Sequence, residues 1–175
     1  EIKLWKFHKP VGVITTTKDP LKRKTVFDLI PKNLPRLMPI GRLDRKSEGL
    51  LLLTNNGTLS RYFELPKNKI IRVYSVRVKG KVEENQLNVI RRGIKVDRVR
   101  YAPIKVKVES YNISSTWLKM ELIEGKNREI RKICSYFGWE VSKLIRQRYG
   151  KFNLGNLKPG VLKEVKDHPY SDVYL

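Results

Sequence analysis

The chain has 175 residues, of which 40% are hydrophobic, and sets 38 lysines and arginines against 17 aspartates and glutamates for a formal net charge of +21. That length supports one well-buried core or two small lobes, and the longest apolar run, residues 50–53, falls far short of the roughly 20 residues that span a bilayer. A sequence pI of about 10.2 implies a polyanionic partner, nucleic acid first and an anionic membrane surface second. No segment joins a clean apolar helical face to a basic one, which argues against the membrane.

Cys134 is the single cysteine, so no intrachain disulfide forms and a reducing, cytoplasmic compartment is expected. The two histidines, His8 and His168, lie at opposite ends of the chain, which leaves no nearby set of zinc ligands. Walker-type and dinucleotide-binding glycine patterns are also missing, so the expectation is an enzyme with no metal and no cofactor.

Residues 5–8 read as a strand ended by Lys9-Pro10-Val11-Gly12, and the β-branched residues 13–17 as a second strand. From 19 to 39 the chain is punctuated by proline and reads as an irregular, mobile flap with one short helix over 25–30, capped by Thr25. Lys18, Lys22, Arg23 and Lys24 on that flap read as a solvated surface or as RNA contacts. A buried strand is predicted over 50–54 and a helix over 58–63. Residues 71–79 alternate strictly and predict a strand, and 83–92 form a helix with acids first, arginines last and Gly93 closing it. Two strands follow at 104–109 and 116–123, the first placing Ile104, Val106 and Val108 inward and Lys105 and Lys107 outward, as in an antiparallel sheet with one wet face. Asn127 is predicted to cap a helix with Ile130, Ile133, Cys134 and Phe137 in one apolar stripe, and residues 141–149 form a basic strand with one apolar side.

Two stretches carry chemistry. Gly41-Arg42-Leu43-Asp44-Arg45 sets a carboxylate between two arginines just ahead of the leucine run, as a poised nucleophile or as half of a structural ion pair. Glu124-Gly125-Lys126-Asn127-Arg128-Glu129-Ile130-Arg131 opens a helix with Arg128 and Arg131 on one face, where cations oppose the helix dipole unless an anion lies near.

Together with Lys9-Pro10-Val11-Gly12 and Arg72-Val73-Tyr74-Ser75-Val76, these stretches resemble the ordered motifs of the pseudouridine synthases, in the RsuA-like branch that modifies bacterial ribosomal RNA. The resemblance runs nearly to Asn156-Leu157-Lys158-Pro159-Gly160. It implies an α+β fold with a mixed, mostly antiparallel sheet in two lobes, flanking helices and a catalytic cleft. Residues 1–175 then form one catalytic domain without an internal linker. The branch usually carries an S4-type RNA-binding domain ahead of this part, and nothing in the chain corresponds to it, so a trimmed chain is expected.

The resemblance further implies isomerisation of a flipped-out uridine to pseudouridine, without a cofactor. Asp44 matches the essential aspartate, Tyr74 the tyrosine that stacks on the uracil, and Arg131 the basic partner of the aspartate. Arg42 and Leu144 fall at positions that touch the flipped nucleotide, and Lys9 and Arg146 join the RNA-binding set, with Arg148 a further surface candidate. The expected partner is structured ribosomal RNA or a ribosome-assembly intermediate, met by a monomer. The rival reading is a non-catalytic RNA-binding or assembly factor on the same scaffold.

Overall fold

The computed structural model describes residues 1–16 and 19–170. Its elements are β1 (Leu4–Lys9), β2 (Met38–Ile40), β3 (Glu48–Thr54), α1 (Gly57–Glu64), β4 (Arg72–Lys79), α2 (Glu84–Arg92), β5 (Lys95–Val96), β6 (Val99–Arg100), β7 (Lys105–Tyr111), β8 (Thr116–Leu122), α3 (Glu129–Tyr136), β9 (Glu140–Tyr149), β10 (Phe152–Asn153) and β11 (Leu162–Val165). They fall into two compact units, one of Glu1–Asn68 with Lys151–Leu175 and one of Lys69–Gly150. The fold is α+β, as expected, and every strand pairing within a unit is antiparallel.

In the first unit β3 pairs with β1, β1 with β11, and β2 also pairs with β3. Residues Leu50, Leu51, Leu52 and Leu53 are all fully buried. Successive side chains of a strand point to opposite faces, so this continuous run means that β3 is covered on both. Each buried leucine contributes about 1.5–3 kcal/mol. Helix α1 starts where Asn56 Oδ1 accepts from the Leu59 amide at 2.9 Å, and it buries Leu59 and Phe63, four residues apart on one face.

Two predicted elements change here. Of the strand predicted over 13–17, residues 13–16 do not form one: Ile14 makes one isolated parallel bridge to Thr25, and Thr17 and Lys18 lie outside the described residues. The short helix is a 3-10 turn, Val26–Asp28. Thr25 Oγ1 accepts from the Phe27 amide and Asp28 Oδ2 from the Thr25 amide, a reciprocal cap that closes after a single turn.

The second unit is a four-stranded sheet in the order β9-β4-β8-β7. Val76, Val78, Leu118, Met120 and Leu144 share one buried cluster with Leu87 and Ile90 of α2 and Ile130, Ile133 and Cys134 of α3. Both helices therefore cover one face of the sheet. The capping assignment at Asn127 is corrected: Arg128 occupies the position before α3 in a left-handed conformation, φ 53°, and no side chain caps the helix. The Glu129 carboxyl instead reaches back to the Lys126 amide at 3.3 Å.

Candidate active site

Asp44 sits in the turn that joins β2 to β3, and the backbone around it is held residue by residue. The Gly41 amide donates to Glu64 Oε1. The Thr15 hydroxyl, itself buried, brackets Leu43, accepting from its amide at 3.3 Å and donating to its carbonyl at 3.1 Å. The Asp44 carbonyl accepts from the Ser47 amide at 3.0 Å, and the Arg45 carbonyl from the Gly12 amide at 2.8 Å.

Beneath the turn lies Lys9, 0% exposed, whose ammonium donates to the carbonyls of Pro10 at 2.9 Å, Arg45 at 3.3 Å and Ser47 at 2.6 Å. An ammonium leaves water only where such acceptors replace its hydration. The anchors fall on residues 41, 43, 45 and 47. Between them Arg42 is exposed and Asp44 half-buried. A carboxylate on an immobilised turn meets the requirement that a reacting group be held in place before the substrate arrives.

The second unit carries the other predicted residues. Tyr74 lies on β4, half-buried, opposite Met120 of β8 and Arg146 of β9, immediately after an irregularity in the β4–β9 register. Arg146 is 3% exposed, and its guanidinium lies 4.7 Å from the centroid of the buried Tyr149 ring. Arg72 approaches the same ring at 4.9 Å and donates to its hydroxyl at 3.2 Å. Burial pushes the Tyr149 phenol up, and the two guanidiniums pull in the other direction. Arg131, on the first turn of α3, is half-buried.

Just before it, Glu129 is buried and its carboxyl is pushed up to about 8, first by burial and then by the Glu124 carboxylate. Glu124 accepts from the Ala102 amide at 3.1 Å. Cys134 is an inert thiol, pushed up to about 12 by burial.

The motifs are thus seated in ordered, internally bonded backbone, Asp44 with Arg42 in one unit and Tyr74, Arg131, Leu144 and Arg146 in the other. Residues 3–136 match the family described as RNA pseudouridylate synthase. The chain belongs to the RNA pseudouridine synthases. It is 52% identical over 165 residues to an uncharacterized RNA pseudouridine synthase of Rickettsia felis, covering 94% of this chain and 71% of that protein. It is 42% identical over 159 residues to ribosomal large subunit pseudouridine synthase B of Buchnera aphidicola subsp. Schizaphis graminum, covering 88% and 62%. A crystal structure of a pseudouridylate synthase superposes with a TM-score of 0.84 at 24% identity, over 94% of this chain and 70% of that one, so the fold is that of a pseudouridine synthase. The chain is an RNA pseudouridine synthase enzyme of the RsuA-like branch.

For a pseudouridine synthase, the predicted RNA contacts differ widely in exposure. Lys9, expected in the RNA-binding set, is buried and holds the Asp44 turn, because three carbonyls converge on it. Arg146 is likewise buried against Tyr149 rather than displayed, and Leu144 lies in the core cluster of its unit. Arg148 is half-buried, its Nε donating to the Gly150 carbonyl at 2.6 Å. On the flap Arg23 grips Asp19 with three hydrogen bonds, two from its guanidinium and one from its amide, holding that carboxyl at about 2, while Lys22 and Lys24 are exposed. Thr15, Arg72, Glu124 and Glu129 escaped the sequence reading as parts of the site's framework. Arg72 and the two glutamates lie inside motifs that were read for other residues. Among the described residues no helix is long and apolar enough to cross a membrane.

Proposed function

We propose that the enzyme isomerises uridine to pseudouridine in ribosomal RNA, with Asp44 as the carboxylate that acts on the ribose. The single observation that carries this reading is the Asp44 turn itself, clamped through the backbone of residues 41, 43, 45 and 47 while the Asp44 side chain is left half-buried. Phosphate binding alone gives no reason to fix a carboxylate so firmly in a chain of net charge +21.

In the reaction the C1′–N1 bond breaks, the uracil turns, C1′ bonds to C5, and the C5 proton is lost while N1 gains one. Atoms balance without a cofactor. Positive charge develops at C1′ during cleavage, and an adjacent carboxylate stabilises it, whether by attack on C1′ or by removing a ribose proton. Tyr74 stacks on the uracil and helps remove the C5 proton, Arg131 supplies the cation that orients Asp44, and Arg42 touches the flipped nucleotide. Unstacking the uridine costs a few kcal/mol, which phosphate contacts from this basic chain offset.

The name of the Buchnera relative supports the ribosomal substrate. The enzyme works in the cytoplasm as a monomer, on folded RNA or on an assembly particle. The test is carbodiimide modification and primer extension on ribosomal RNA incubated with and without the enzyme. One new stop that depends on the enzyme supports the reading; unchanged stop patterns on both RNA and precursor particles refute it.

A further inference from the structure

The sheet of the second unit has a second face, and strand register reads it out in rows. Residues directly opposite on neighbouring antiparallel strands lie on the same face, with Cβ atoms about 4.5–5.5 Å apart. The first row, from β9 across β4 and β8 to β7, is Lys143, Arg77, Trp117 and Ser110. The second is Ile145, Ser75, Lys119 and Lys107, and in the third Glu121 stands opposite Lys105. These residues alternate with Val76, Leu118, Met120 and Leu144, which are buried beneath α2 and α3. Lys105, Lys107 and Lys143 are exposed, and Arg77, Lys119 and Trp117 half-exposed.

Two rows set like charges directly opposite each other, Arg77 against Lys143 and Lys119 against Lys107. Such pairs destabilise a sheet, and a face shaped for stability or solubility alone intersperses the two signs. Trp117 lies among them with the Arg77 guanidinium 5.5 Å from its ring centroid, and a cavity of about 310 Å³ opens beside it, lined also by Ser75, Glu109 and Ser110. An aromatic platform among cations that track a backbone is the combination that binds single-stranded nucleic acid.

We propose that this face is a second RNA-binding surface, on which Lys107, Lys119, Lys143 and Arg77 hold phosphates of the substrate RNA outside the reacting nucleotide while Trp117 offers a stacking platform. The proposal rests on the reading of the chain as a ribosomal RNA enzyme. Phosphates turn the repulsion between opposed cations into binding, so these side chains make the sheet tighter on RNA than off it. The occupant is RNA by charge complementarity: the face carries cations in opposed pairs and, apart from Trp117, Ile145 alone as a large apolar side chain in its first two rows.

The test is the triple variant Lys107→Thr, Lys119→Thr and Lys143→Thr, with Lys67→Thr, Lys163→Thr and Lys166→Thr, all exposed cations of the other unit, as a charge-matched control. Threonine suits strands and removes both like-charge pairs, so the face variant keeps its fold. Affinity for a ribosomal RNA transcript is measured across a salt series. Each phosphate contact contributes about 0.7–0.9 to the slope of log K against log salt, so the face variant loses about 2–3 from the slope and binds roughly tenfold or more weakly. The control keeps the parental slope.

An unchanged slope in the face variant, or an equal loss in the control, overturns the proposal. Tritium release from 5-tritiated uridine RNA by the parent separates the two readings. Release with an intact slope in the face variant sinks this surface alone. No release with the slope lost sinks the enzymatic reading and leaves the RNA-binding face standing.

Discussion

Replacing Lys9 with methionine keeps the aliphatic volume and removes the ammonium that three carbonyls share. The Ser47 carbonyl, bonded at 2.6 Å in a buried position, loses a charged partner and costs about 1–3 kcal/mol; the Pro10 and Arg45 carbonyls are part-buried and cost about 0.5–1.5 kcal/mol each. Relief from burying an ammonium subtracts from that total, leaving a net loss of about 2–4 kcal/mol. This is a large share of a typical folding free energy of about 5–15 kcal/mol.

The loss is local first. Hydrogen exchange should speed up at the amides of Gly12 and Ser47, which close onto the Arg45 and Asp44 carbonyls. Turnover should fall because Asp44 is no longer held, while affinity for RNA stays within about twofold, Lys9 being buried. Urea unfolding, exchange at those amides, RNA binding and turnover are measured side by side. Lost RNA affinity with unchanged stability and exchange would refute the reasoning and make Lys9 a direct RNA contact.

Thr15→Val removes the hydroxyl that brackets Leu43 and leaves a buried amide and carbonyl without it, a loss of about 1–3 kcal/mol read by urea denaturation, with turnover falling more than RNA affinity. Glu129 gives a pH signature. Its carboxyl titrates near 8 when folded and near 4.5 when unfolded, so the folded state holds the extra proton, and the stability it contributes is full below 4.5 and is lost as pH rises towards 8. Glu129→Gln removes the titrating carboxyl and should flatten the stability profile between those limits; an unchanged slope there would show that Glu129 does not hold the extra proton.

Much of the fold is legible in local pattern. The alternation in β4, the unbroken leucines of β3 and the apolar stripe of α3 each follow from which faces must be buried. What escapes depends on partners far along the chain. Lys9 looks like an ordinary cation beside a turn, and only the arrival of carbonyls from residues 45 and 47 makes it internal. The β-branched residues 13–16 have strand propensity, yet the Thr15 hydroxyl bonds to Leu43 and the segment is fixed as a support. At Asn127 the capping residue type is present, but Arg128 turns left-handed and Glu129 bonds back to Lys126, so the helix starts later. Strand β11 pairs with β1 across some 160 residues of sequence, a distance at which neither partner signals the other. The proposed site residues come from motif order, whereas the framework around them is visible only in the structure.

The central claim is that Asp44 carries the chemistry and the basic surfaces carry the binding. Tritium release from 5-tritiated uridine ribosomal RNA, measured for the parent and for Asp44→Asn together with RNA affinity, tests it most directly. The account predicts release by the parent, none above background by the variant, and dissociation constants within about twofold of each other, since the substitution removes a carboxylate and no cation. Turnover by Asp44→Asn at a rate near the parent's, or loss of binding in step with loss of activity, would contradict it.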